Sequence, residues 1–209
     1  TMRSPFNPSG NQELNLVLTT RDVYACADAY LLNEFVRKGE KLTWKFKGVV
    51  QDEECEEDLG PVQAQVNLRE LPPNDYKLRI VINMQVFRAT LKVTEEYYEL
   101  RSDADPELLE IENGRLNRIP AGMIWGSVHY TEPAQKAVAE ALVADLLEQG
   151  AETVDLPAGN YDQFYIYFDS APRESSRGPG KYSYDFVLRY GGDMKALEPV
   201  VEQYRKQAS

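Results

Sequence analysis

The chain has 209 residues, 43% hydrophobic and 27% charged, with 34 acidic side chains against 23 basic ones and a net charge of −11. This is the composition of a folded, soluble protein long enough for two domains, and it excludes wholesale disorder. The acidic excess runs through both halves and excludes nucleic acid and anionic membrane surfaces, which are held by Lys and Arg, while no stretch approaches the roughly 18 apolar residues of a transmembrane segment.

Residues 1–12, rich in Pro, Ser, Asn and Gly, read as a tether or an expression remnant, compatible with a processed or lipid-anchored N-terminus upstream. Residues 13–102 then carry a succession of short β signals. Leu14, Leu16 and Leu18 alternate, residues 23–32 are apolar and aromatic, and Leu42, Trp44 and Phe46 alternate with lysines and Thr43. Ala and Leu density over residues 24–37 also permits a helix. Val62, Ala64, Val66 and Leu68 alternate with polar residues. In residues 76–93 the period of two predicts a hairpin, with Tyr76, Leu78, Ile80 and Ile82 inward, then Phe87, Ala89, Leu91 and Val93. Lys77, Arg79, Arg88 and Lys92 face water. Its turn, Asn83-Met84, lacks the Gly that two-residue hairpins prefer, which predicts a longer turn. A last strand covers residues 97–101. Some seven strands punctuated by Gly, Pro, Asn and Asp predict an antiparallel, immunoglobulin-like β-sandwich.

Residues 103–118 are acidic and polar and read as a linker. From 119 to 209 the period changes. Residues 123–130 read as a strand, and Thr131 as a helix cap ahead of Pro133 in the first turn. Ala134, Ala137, Val138, Ala141, Leu142 and Leu146 recur at helical spacing up to Gly150. Strands at 161–169 and 182–190 follow, then a helix from Asp193 with Pro199 in its first turn. Strand, helix, strand, strand, helix predicts a small α+β sandwich, ferredoxin-like in order.

Chemistry-bearing residues are sparse. Cys26 and Cys55 stand 29 positions apart with the single His129 far away, which does not make a zinc set. A disulfide between them would stabilise the fold by about 3.5 kcal/mol and imply an oxidising, exported location; two free thiols would fit a cytosolic protein. Ser127 and His129 share one face of an extended strand, but no nucleophile elbow surrounds them. The acidic run from Asp52 to Asp58 lacks the spacing of a calcium loop and reads as a solvated loop. Arg177 to Lys181 lacks the ending of a phosphate loop and reads as a hairpin connection. Tyr165, Tyr167, Tyr182 and Tyr184 offer apolar area with a hydrogen-bonding tip, suited to a glycan or protein ligand or to packing between domains.

Together these features favour a non-enzymatic binding or adhesion module of a secreted, periplasmic or cell-envelope system, with no cofactor and no metal. A hydrolase using Ser127 and His129 is one alternative. An acidic cytosolic partner or inhibitor protein is another.

Overall fold

The structure, a computed structural model, describes all residues except 8–9, 25–28, 52–59, 70, 169–170, 175–179 and 208–209. Cys26, Cys55, the acidic run at 52–58 and residues 177–179 therefore lie outside the described residues. The chain divides into two compact units, Thr1–Arg118 and Ile119–Ser209. Among the described residues no helix is long and apolar enough to cross a membrane.

Among the described residues, nine strands build the first unit: β1 (Met2–Arg3), β2 (Asn15–Tyr24), β3 (Tyr30–Lys38), β4 (Lys41–Val50), β5 (Gly60–Asn67), β6 (Asn74–Ile82), β7 (Gln85–Val93), β8 (Tyr97–Ser102) and β9 (Arg115–Asn117). They form a three-stranded sheet, β1-β2-β5, and a six-stranded sheet, β3-β4-β6-β7-β8-β9. The alternating apolar residues turn inward between the sheets, so that Leu42, Trp44, Tyr76, Leu78, Leu91 and Leu116 are all buried. Each such side chain contributes about 1.5–3 kcal/mol of burial free energy. The sheets also meet along both sides, β3 beside β5 and β1 beside β9, which closes the sandwich laterally.

Two features depart from the expected seven-stranded, antiparallel, immunoglobulin-like arrangement. The sheets hold six and three strands, and β4 pairs parallel with β6. The parallel pair has a topological cause. β4 runs to one end of the sandwich, β5 returns in the other sheet, and β6 therefore starts from the same end as β4. Residues 24–37, compatible with a helix in sequence, enter β3 from Tyr30 onward, where Phe35 and Leu31 pack on the core.

The β6–β7 turn is shorter than its sequence predicts. Ile82 pairs with Gln85, leaving only Asn83 and Met84 in the turn, with φ of +48° and +66°. Both residues take the left-handed conformation of a type I′ turn, which matches the twist of the flanking strands, although a Met there is strained. Residues 103–118 are more than a linker. Leu109 and Ile111 pack on the core, and β9 adds the last strand to the large sheet.

The second unit comprises β10 (Met123–Tyr130), α1 (Lys136–Glu148), β11 (Glu152–Thr153), β12 (Gly159–Asn160), β13 (Phe164–Ile166), β14 (Pro172–Glu174), β15 (Tyr182–Arg189) and α2 (Glu198–Gln207). Short 3₁₀ turns, Pro133–Gln135 and Met194–Leu197, precede the helices. The first is capped by Glu132 rather than Thr131, with the Gln135 side chain reaching back to the Glu132 backbone. The described part of the predicted strand 161–169, residues 161–168, does not join the main sheet. Only 164–166 are a strand, and it belongs to a separate small sheet, β12-β13-β14, while β10, β15 and β11 form the main one. One face of the main sheet packs on Leu142, Leu146 and Leu197 of the helical layer. Its other face, through Met123, Trp125 and Val187, packs on Phe164 and Ile166 of the small sheet.

Candidate ligand cavity

At one end of the first unit the strand pairing is interrupted in both sheets. β2 and β5 lose register between Thr19 and Val23, and β3 and β4 lose register between Leu32 and Asn33. Such bulges bend strands and recur beside functional sites. In β2, Thr20 replaces the broken ladder: its hydroxyl accepts from Val62 N–H and donates to the Asp22 carbonyl. In β4, Gly48 sits at φ +137°, a conformation that L side chains rarely adopt.

Between the sheets at this end lies a cavity of about 630 Å³, a size typical of small-ligand sites. Its walls are Leu16 and Leu18 from one sheet and Trp44, Phe46, Ile80 and Ile82 from the other. Trp44 is held in place from two directions. Its indole N–H donates to Asn33 Oδ1 at 2.9 Å, and its ring meets Phe46 at 4.8 Å between centroids. Leu109 and Ile111 close one side of the cavity from the β8–β9 connection.

That connection is latched to β2 by Arg21. The guanidinium donates to the carbonyls of Glu107 and Pro106, both at 2.6 Å, and to Glu110 Oε2 at 3.2 Å. Leu108 and Leu109 N–H groups both donate to the Asp105 carbonyl, shaping the loop itself. Asp22, Glu110 and Glu112 complete the polar part of the mouth. Val17 N–H donates to the Thr1 carbonyl at 3.0 Å, which ties residue 1 to β2 beside the mouth.

The same end carries an unusual surface. Val23, Tyr30, Leu32, Val50, Met84, Val86 and Leu108 are exposed large apolar residues at its strand ends and loop tips, Met84 being 95% exposed. Of the described exposed large apolar residues in this unit, only Phe6 lies elsewhere. Exposed apolar side chains gathered at one end of a unit are a feature of binding surfaces.

The tyrosines are placed in two separate pairs within the second unit. Tyr165 and Tyr167 lie on the outer face of the small sheet, rings 4.9 Å apart, with the Arg173 guanidinium 5.8 Å from the Tyr167 ring. Tyr182 and Tyr184 have the parity of Phe186 and Leu188 and so share the helix-facing side of the main sheet. Tyr182 stacks on Tyr130, and Lys136 of α1 approaches Tyr184. Phe168, with the inward parity of Phe164 and Ile166 in sequence, lies past the end of β13 and is 96% exposed.

Ser127 and His129 share a face with Asp185 and Ser183, their cross-strand partners. Ser127 Oγ donates directly to Asp185 Oδ1. A Ser-His-acid relay instead interposes the imidazole between hydroxyl and carboxylate. Among the described residues, no group of three or more His, Cys, Asp or Glu is arranged to hold a metal ion.

Sequence reasoning missed the cavity, Arg21 and the packing of Leu109 and Ile111. Two signals pointed toward it: Thr19-Thr20-Arg21-Asp22 interrupts the apolar alternation of β2, and Gly48 interrupts β4, the mark of a bulge. No family model, curated protein or solved structure matches the chain.

Proposed function

We propose that the protein is a non-enzymatic binding module of a secreted or cell-envelope system, and that it binds an apolar ligand at the open end of its first unit. One observation carries this reading: an apolar cavity of about 630 Å³ opens at the end of the sandwich where the exposed apolar side chains collect. A cavity lined by Leu, Ile, Phe and Trp favours apolar groups through the area they remove from water, about 25 cal/mol per Å². The export part of the proposal rests on Cys26 and Cys55 in the sequence, and intact mass with and without reduction before alkylation tests it. Two cysteines alkylated without reduction would move the protein to the cytosol.

The binding test is titration of the full chain with Nile red, an uncharged apolar dye. Saturable one-to-one enhancement is expected. It should fall in both Leu18→Trp and Leu109→Trp, which fill the cavity from opposite walls, while circular dichroism stays unchanged. No saturable binding to the folded protein, or binding indifferent to both substitutions, overturns the reading.

A second surface supports the protein or glycan ligand expected from the sequence. Tyr165 and Tyr167 are 38% and 49% exposed beside Arg173 and the exposed Phe168, a grouping of aromatic faces with one cation. Tyr167→Ala should abolish retention on a glycan or protein array if this surface binds.

A further inference from the structure

We infer that the cavity selects a single-chain amphiphile with a cationic head group, the apolar chain lying between the sheets and the head at the mouth beside Asp22. The inference rests on the binding reading above and adds the ligand's charge to it. Its ground is the balance of charges around the opening. Arg21, the one cationic side chain among the described mouth residues, is already committed within the protein. Arg21 directs its donors to the Pro106 and Glu107 carbonyls and to Glu110. A carboxylate head would therefore meet no uncommitted cation among the described mouth residues and would be repelled by the carboxylate of Asp22, whose charge no described cation balances.

Asp22 is the complement of this arrangement. It lines the mouth, is exposed, and its side chain makes no hydrogen bond or ion pair with another described residue; only its backbone carbonyl is used, by Thr20. A head group with fixed positive charge gains attraction to Asp22 without breaking any existing contact, because the Arg21 latch stays closed. The bulge that places Asp22 is the same one that opens the sheet, so the chain-binding wall and the head-binding carboxylate come from one irregularity of β2.

The experiment uses three probes with the same twelve-carbon chain, each below its micelle concentration: dodecyltrimethylammonium, dodecan-1-ol and dodecanoate. Binding to the full chain is read by Trp44 emission in a Trp125→Phe background, since Trp44 lines the cavity and the only other tryptophan lies in the second unit. The ammonium probe should bind about tenfold more tightly than dodecanoate at low salt, with the alcohol between them, and the spread should shrink at 1 M salt. Asp22→Asn should weaken the ammonium probe by about two- to fivefold, the range of an exposed ion pair, and leave the alcohol unchanged. Asp22→Lys should reverse the order of ammonium and dodecanoate. Equal affinity for all three probes, or tighter dodecanoate, overturns the head-group inference while leaving the apolar cavity intact. Failure of all three to bind overturns the binding reading itself.

Discussion

Gly48 and Gly60 form a matched pair that tests how the cavity is opened. A methyl group added at either position meets no atom within 4 Å, so neither substitution creates a clash. They differ in backbone: Gly48 has φ +137°, whereas Gly60 lies outside the positive-φ region. Gly48→Ala should therefore cost about 1–3 kcal/mol, the strain of holding an L-residue in a glycine conformation. Gly60→Ala should instead stabilise by about 0.4–1 kcal/mol, because alanine narrows the unfolded ensemble. The two variants should thus differ by about 1.4–4 kcal/mol, and each kcal/mol should move the midpoint of a unit of this size by about 3–6 °C. Urea and thermal unfolding of the full chain, followed through Trp44 in the Trp125→Phe background, measure this directly. Gly48→Ala can relieve its strain only by straightening the β4 bulge, which returns Lys47 to the ladder and narrows the opening, so Nile red binding should weaken as well. Equal midpoints for the two variants would refute the argument that the φ of Gly48 builds the open end.

Arg21→Ala should speed hydrogen exchange at the Leu108 and Leu109 amides while lowering global stability by less than about 1 kcal/mol, since the Arg21–Glu110 pair is well exposed; unchanged exchange would show that the latch does not hold the loop. Met84→Gly should stabilise the β6–β7 hairpin by about 1 kcal/mol by removing a left-handed methionine, and a lower urea midpoint would contradict that. Hydrogen bonds from Asn7 and then Asn67 hold the Glu13 carboxyl below its usual range. Its stabilisation is present above the unfolded-state pKa and lost as pH falls through the lowered folded one, so wild type and Glu13→Gln should converge in acid; a gap independent of pH would exclude this. The Tyr204 phenol is raised above its usual value, chiefly by its hydrogen bond to Asp145. That contribution is complete below the unfolded-state value and disappears as pH rises through the raised one. Wild type and Tyr204→Phe should therefore converge only in strong alkali, and spectrophotometric titration should find one tyrosine ionising late.

Local alternation in the sequence determines most of the strands and which side of each faces the core. Leu42, Trp44 and Phe46, or Tyr76, Leu78 and Ile80, can be sorted by parity alone because a strand side chain has two directions to choose from. The helices are legible for the same reason at a period of 3.6, down to the stop at Gly150, whose φ of +92° ends α1. What pairs with what is a long-range matter. The parallel β4–β6 contact, the loss of β13 to a separate small sheet and the docking of Leu109 and Ile111 depend on where the chain returns after leaving each sheet, which no local window contains. The cavity is the extreme case. Leu18, Trp44 and Ile80 each read as an ordinary core residue in sequence and Leu109 as part of a linker, and only the coincidence of two bulges at one end of the sandwich brings them together around a cavity.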